Sequence, residues 1–185
     1  PHLHDLARLR MRVFSDFPYL YDGDPDYEER YLRAYAASPD SVFVLAMDAA
    51  RVVGAATGLP LLDDTSEFQA PFIEHGIDPA QVFYFGESVL LPEYRGQGLG
   101  HRFFDEREAH ARALGGFEWT AFCAVQRDED DPRRPVGHRD NAPFWSGRGY
   151  VPRPEMVCRL AWKDHGEACA SHKRLMYWLR PLEPA

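Results

Sequence analysis

Between residues 91 and 100 the chain reads Leu91-Pro92-Glu93-Tyr94-Arg95-Gly96-Gln97-Gly98-Leu99-Gly100, a glycine-rich turn between an apolar run and a helix-like one. Few side chains stand in the way, so the main-chain N–H groups of residues 96 to 100 can converge on one anion such as a pyrophosphate. The positive end of the following helix adds to the attraction. The neighbouring residues narrow the choice. A Walker loop needs a lysine and a hydroxyl residue after its last glycine, whereas His101 and Arg102 follow Gly100. A Rossmann fingerprint needs a different glycine spacing as well as an acidic ribose ligand; Glu118 stands at a suitable distance, but the glycines do not match.

A length of 185 residues with 45% hydrophobic content suits a single domain, expected over 1–185. The net charge of −8 argues against nucleic acid as a partner, because phosphate backbones are bound by clustered Lys and Arg. An acidic chain that binds a polyanion must concentrate positive potential locally, and Arg95, Arg102 and the loop amides are the available sources. Arg102 also reads as a solvated surface residue. No apolar run is long enough to cross a bilayer and no charged-then-apolar leader is seen, so a cytoplasmic protein without membrane contact is expected. Cys123, Cys158 and Cys169 lack CxxC spacing, and the eight histidines lack ligand spacing; reduced thiols and no metal are expected.

Helical periodicity runs from Leu3 to Phe17, and again from Pro25 to about Ala37 behind an Asp24 cap. Ser41–Met47 and Arg51–Leu59 read as a hairpin, Ser66–His75 as a short helix, and Gln81–Leu91 as the strand leading into the turn. The longest helix spans Gly98–Leu114. A strand over Phe117–Val125, a polar loop, a short helix over Pro143–Arg148 capped by Asp140 or Asn141, and antiparallel strands over Glu155–Lys163 and Lys173–Arg180 complete the order.

The motif Arg95-x-x-Gly98-x-Gly100 after an apolar strand, with Pro92-Glu93-Tyr94 before it and Pro143-Phe-Trp-Ser-Gly-Arg-Gly-Tyr-Val151 later, resembles the GNAT acetyltransferase superfamily. The order of elements is similar over nearly the whole chain, although family members usually begin with a strand and this chain starts at Pro1 almost inside the first helix. The resemblance implies an α/β GNAT-like (acyl-CoA N-acyltransferase) fold, a mixed central sheet with splayed parallel strands flanked by helices. It implies acetyl-CoA as cosubstrate, held by Gly96, Gln97, Gly98, Gly100, Arg95 and Arg102, with pantetheine bonded to main chain near Val89 and Leu90. Direct transfer to a small-molecule or peptide amine is implied, and a homodimer is possible.

Deprotonating a lysine-like amine near pH 7 requires about 4 to 5 kcal/mol, while releasing a thiolate requires only about 2. A base therefore matters more than an acid. Glu87, the one carboxylate in the apolar run Val82–Leu91, is the candidate base; its alternatives are a structural pair with an arginine or a side chain pointing to solvent on the opposite face. Ser88 beside it can bond substrate or cofactor. Trp145 stands where the family often places an acidic tyrosine, and an indole N–H cannot replace it. Tyr150 reads as structural or as a substitute acid, His138 as a cofactor contact, proton shuttle or plain loop residue, and Cys123 as a buried hydrophobe rather than an acyl carrier. The Asp128–Asp131 run reads as solvated charge. Tyr19 and Tyr21, with Asp22, Asp24, Asp26, Glu28 and Glu29, can form an acceptor site or simply cap and staple a helix. Two readings stay open: an acyl-CoA-dependent N-acetyltransferase, and a non-catalytic acyl-CoA-binding regulatory module, which the missing tyrosine favours.

Overall fold

The computed structural model describes residues 2–183, so the expected start at Pro1 and the last two residues of the expected domain lie outside it. Its elements run α1 (Leu3–Phe14), α2 (Pro25–Ala37), β1 (Val42–Asp48), β2 (Arg51–Pro60), α3 (Ser66–Glu74), β3 (Val82–Leu90), α4 (Leu99–Leu114), β4 (Trp119–Val125), α5 (Ala142–Gly147), β5 (Val151–Trp162) and β6 (Ser171–Pro181). The strands form one mixed sheet in the order β1-β2-β3-β4-β6-β5, in which only β3 and β4 are parallel. The α/β arrangement with flanking helices is the one the sequence implied.

Alternation along β3 assigns the two faces. Val82 and Tyr84 pack with Tyr35, Phe72 and Tyr177 beneath α2 and α3, while Phe83 and Phe85 pack with Phe104, Phe122 and Tyr150 beneath α4 and α5. The α1 residues Leu6 and Leu9 meet Leu32, Ala55 and Val89 on the first of these faces. Asp24 caps α2 as expected, its Oδ1 accepting from the amides of Asp26 (3.0 Å) and Tyr27 (3.1 Å).

Two boundaries differ from the sequence reading by three residues or more. Helix α1 ends at Phe14, not Phe17, because Pro18 has no N–H to continue the ladder and restricts Phe17 before it. Instead the chain turns, with Tyr21 N–H donating to the Phe14 carbonyl at 2.8 Å. Strand β5 begins at Val151 rather than Glu155 despite Pro152 and Pro154. It is the edge of the sheet, and its register shifts between Arg153 and Val157, so missing donors there break no internal ladder. Short 3₁₀ turns at Leu61–Asp63, Pro79–Gln81 and Pro92–Tyr94 add detail that periodicity does not reveal.

One irregularity shapes the centre. Strands β3 and β4 pair only through Val82, Phe83 and Tyr84 and then diverge. On its other side β3 carries an extra residue: Phe85 is opposite Gly58 and Ser88 opposite Ala56, so Gly86 and Glu87 share the place of Thr57. The bulge lets Thr57 and Tyr35 approach very closely, since a Cβ on Gly86 would lie 2.6 Å from Thr57 Oγ1 and 2.7 Å from Tyr35 Cε1. We expect Gly86→Ala to destabilise the protein by roughly 1–3 kcal/mol through overpacking, a fall of several degrees in Tm. Gly147→Ala, where a Cβ meets nothing within 4 Å, is the control expected to leave thermal unfolding almost unchanged.

Candidate active site

The glycine turn presents its main chain outward. Gly96 and Gly98 adopt φ of +75° and +81°, a left-handed backbone that glycine takes without strain. Among the described residues, the amides of Gly96 to His101 have no hydrogen-bond acceptor; the next amide, of Arg102, donates to the Gly98 carbonyl at 3.2 Å. Unpaired N–H groups at the start of a 16-residue helix favour an anion. A Cβ on Gly96 or Gly98 would meet nothing within 4 Å, so no side chain crowds the amides from those positions.

Side chains expected to assist at this turn are turned elsewhere. Arg95 Nε donates back to the Leu90 carbonyl at 3.2 Å, Gln97 Nε2 to the Glu93 carbonyl at 3.4 Å, and Arg102 stands exposed 3.8 Å from Glu106. The loop therefore offers amides first and arginines second.

Below the turn, the divergence of β3 and β4 opens a cleft of about 370 Å³ on the α4–α5 face. Gly86, Glu87 and Ser88 form one wall, Cys123 to Arg127 the other, with Trp145 and His138 at the side. Val89, Leu90 and the glycine turn continue the β3 wall beyond the enclosed part. On the α1–α2 face a second chamber of about 100 Å³ is lined by Arg10, Glu28, Tyr31 and several other aromatic residues. Phe14, Tyr19, Gly86, Glu87 and Cys123 belong to both walls, so the two spaces meet at the fork of the strands.

Two buried arginines hold this fork. Arg107, from the inward stripe of α4, donates through Nη1 to the carbonyls of Thr57 and Glu87, both at 3.1 Å, and through Nη2 to Ser88 Oγ at 2.8 Å. Its guanidinium lies 4.1 Å from the Phe85 ring centroid. Without a carboxylate partner there, burial pushes its pKa down to about 10. Arg10, on the apolar stripe of α1, pairs with Glu28 through Nε and with Glu87 Oε2 through Nη1 at 2.6 Å. Burial alone would lower its pKa, but Glu87, Tyr31 and Glu28 raise it above the ordinary value. Tyr31 also donates to Glu87 Oε2 at 3.1 Å, while Glu87 Oε1 has no partner among the described residues.

The remaining candidates separate cleanly. Tyr150 is buried, hydrogen-bonded to Thr120 Oγ1 (2.9 Å) and Glu108 Oε1 (3.2 Å), and is structural. His138 sits in the cleft wall with its ring edge-on to Phe17. Trp145 packs on Phe122 and Trp178. Cys123 Sγ lies 3.0 Å from Tyr84 Oη, and burial raises its thiol pKa, which opposes a nucleophilic role. Of the acidic residues near α2, only Glu28 enters the chamber. Asp22 pairs with Lys163 at 2.8 Å, Asp24 caps the helix and Glu29 pairs with Arg33 at 2.6 Å. Arg10 and Arg107 were missed as functional residues, although each is a charge on an otherwise apolar helical stripe, which is the available sign of a buried polar partner.

The aromatic turn carrying Tyr19 is clamped by ion pairs. Arg127 donates to the Pro18 carbonyl (2.7 Å), the Tyr19 carbonyl (2.8 Å) and both oxygens of Asp164 (2.7 and 3.0 Å). Arg133 at 2.9 Å and Lys173 at 3.4 Å complete the shell of Asp164, which is 1% exposed. No helix among the described residues is long and apolar enough to cross a membrane, and no group of three or more His, Cys, Asp or Glu is placed to hold a metal ion.

A parallel strand pair forced open beside an amide-lined turn defines the N-acyltransferase kind of α/β fold. The sequence agrees: the profile of the Acetyltransferase (GNAT) family matches residues 3–136, and the chain belongs to that family. Comparison with curated proteins gives no match. Among solved structures, similar folds include ribosomal-protein-alanine N-acetyltransferase from Brucella melitensis, at 12% identity and a TM-score of 0.62 over 98% of this chain and 94% of that one. An aminoglycoside 6'-N-acetyltransferase complexed with coenzyme A aligns at 13% identity and 0.59 over 98% and 91%. The protein yncA from Salmonella typhimurium, with its cofactor acetyl-CoA, aligns at 10% identity and 0.59 over 100% and 90%.

The clamp makes a pH-dependent contribution whose sign is set by Asp164. Burial would raise its pKa, but Arg127, Arg133 and Lys173 hold it below the ordinary carboxylate value. Its contribution is thus complete above the unfolded value of about 4 and lost as pH falls through the lower folded value. Asp164→Asn leaves Arg127 without a carboxylate partner among the described residues, while Arg133 keeps Asp131 and Lys173 keeps Glu167, and should cost about 3 kcal/mol at pH 7. In thermal denaturation the gap between parent and variant should narrow as pH is lowered from about 5.

Proposed function

We propose that this protein is an acyl-CoA-dependent N-acetyltransferase that moves an acetyl group from acetyl-CoA to a primary amine by direct transfer. The observation that carries the reading is the fork. Acceptor-free amides stand at its open end, and a buried carboxylate with one unpartnered oxygen stands at its closed end, where the two spaces meet. The relatives solved with coenzyme A and acetyl-CoA, and those named for acetylating aminoglycosides and a ribosomal-protein alanine, support the same direction.

The residues present suit the cofactor. The amides of Gly96, Gln97, Gly98 and Gly100 would receive a diphosphate. The side of β3 that lacks a partner beyond Tyr84 would offer the main chain of Val89 and Leu90 to the amides of pantetheine. Arg95, Arg102 and His138 are assigned supporting contacts that require their side chains to swing toward the ligand. When bound, acetyl-CoA supplies the activated acyl carbonyl and a thiolate leaving group.

Glu87 has the remaining task. An acceptor ammonium must lose a proton, at about 4 to 5 kcal/mol for a pKa near 10.4, before its nitrogen can attack. Oε2 is held by Arg10 and Tyr31, which orients the carboxylate and leaves Oε1 to take the proton directly or through water. Ser88, whose Oγ already accepts from Arg107, keeps its hydroxyl proton for a hydrogen bond to substrate or cofactor. Thiolate departure needs only about 2 kcal/mol, so the absence of a tyrosine at Trp145 is compatible with turnover.

Calorimetric titration of acetyl-CoA should give saturable binding in the parent that is lost or weakened at least tenfold in Gly98→Trp, which also forces a side chain onto a positive φ. Glu87→Gln should lower kcat by about 10² or more and flatten the rise of rate with pH, with acetyl-CoA affinity nearly intact. Absent binding rules out the assignment. Tight binding without thiol release for any amine selects the regulatory module, and unchanged rates in Glu87→Gln remove that residue as base.

A further inference from the structure

The smaller chamber combines charge with aromatic rings. One basic and two acidic side chains contribute to its wall, Arg10 with Glu28 and Glu87, a formal charge of one net negative. The guanidinium of Arg10 is already shared between the two carboxylates and lies 4.1 Å from the Tyr31 centroid and 5.1 Å from that of Phe14. Oε1 of Glu28 and Oε1 of Glu87 are buried with no hydrogen-bond partner among the described residues, in side chains that are 0% and 4% exposed as residues. Buried carboxylate oxygens are ordinarily satisfied. Two unsatisfied ones, in residues that line the same chamber, are open to a donor from outside the chain, water or a ligand N–H.

The rest of the wall is aromatic. Tyr19, Tyr27, Tyr31, Phe68, Tyr84 and Trp162 surround a space of about 100 Å³, less than the roughly 150 Å³ that houses a benzene ring in an engineered apolar cavity. Tyr27, 45% exposed, stands at the solvent side, so a longer body can project past it.

We propose that this chamber takes the ammonium group of a small monoamine with an apolar, alkyl or arylalkyl body and no carboxylate. The proposal rests on the amine-acetylation reading and specifies its acceptor. One ammonium neutralises the cluster, supplies N–H donors to the two Oε1 atoms, and is favoured by the ring faces around it. A carboxylate on the same molecule would meet a wall with excess negative charge, because the one guanidinium, Arg10, is already shared between Glu28 and Glu87. A second ammonium, as on an aminoglycoside, would find no second excess negative charge.

Titration calorimetry on the intact protein saturated with coenzyme A tests this without requiring transfer. Phenethylamine should bind at least about 30-fold more tightly than phenylalanine, which adds a carboxylate, and than 2-phenylethanol, which lacks the charge. In Glu28→Gln the affinity for phenethylamine should fall about tenfold or more while that for 2-phenylethanol hardly moves, a change in ratio that general loosening would not produce. If that variant does not fold, the ranking of ligands in the parent protein decides. The proposal is overturned if phenylalanine, kanamycin or a tripeptide binds as tightly as phenethylamine, or if no amine binds. Phenethylamine that binds while no amine releases thiol from acetyl-CoA sustains the chamber's specificity and removes the transferase reading. Acetylation confined to amino acids, peptides or aminoglycosides does the reverse.

Discussion

The structure turns on the extra residue that β3 inserts opposite Thr57. Gly86 and Glu87 occupy the space of one residue, β3 bends, and pairing with β4 ends at Tyr84. Such a fault leaves main-chain carbonyls without strand partners in the middle of the molecule, where each unpaired group is destabilising by about 1–3 kcal/mol. Arg107 answers it by donating to the carbonyls of Thr57 and Glu87 from α4, the helix that also begins at the glycine turn. The same helix therefore presents the anion-binding amides and braces the fork, which couples the position of one to the shape of the other.

A second layer of charge sits behind the fork. Arg10, Glu28, Glu87 and Tyr31 join α1, α2 and β3 through buried polar contacts rather than through apolar packing alone. Buried ion pairs are poor sources of net stability, because desolvation offsets their attraction. Their value is geometric: a carboxylate gripped at one oxygen cannot wander, and its other oxygen is held at a fixed place beside the fork. The Asp164 cluster performs a comparable service for the Tyr19 turn, fixing an irregular segment against β5 and β6 through charge-assisted bonds.

Much of the fold was legible because its signals are local. The Asp24-Pro25 cap, the glycines around α4 and the apolar runs of β1 to β4 each carry their instruction within a few residues. The end of α1 was missed because Pro18 acts on a ladder whose periodicity continues past it. The start of β5 was missed because its prolines are tolerated only at an edge, and edge position is a property of the whole sheet. At the site, Glu87 stood out as the lone carboxylate of an apolar strand, and the possibility that it pairs with an arginine was visible too; the pairing is what the structure shows, with Arg10 on one oxygen and the other left without a partner among the described residues. The identity of that arginine was a long-range fact, separated by 77 positions in sequence, and so was the bulge that summons Arg107. Arg95 and Arg102 show the opposite limit: a motif names a residue, but a flexible surface side chain chooses its own partner when no ligand competes.

The sheet also acts as a partition. The larger cleft opens toward α4 and α5, the smaller chamber toward α1 and α2, and Gly86, Glu87, Cys123 and their neighbours border both. For the proposed transferase, two reactants would arrive through separate doors on opposite sides of one wall, and neither would have to depart before the other could enter.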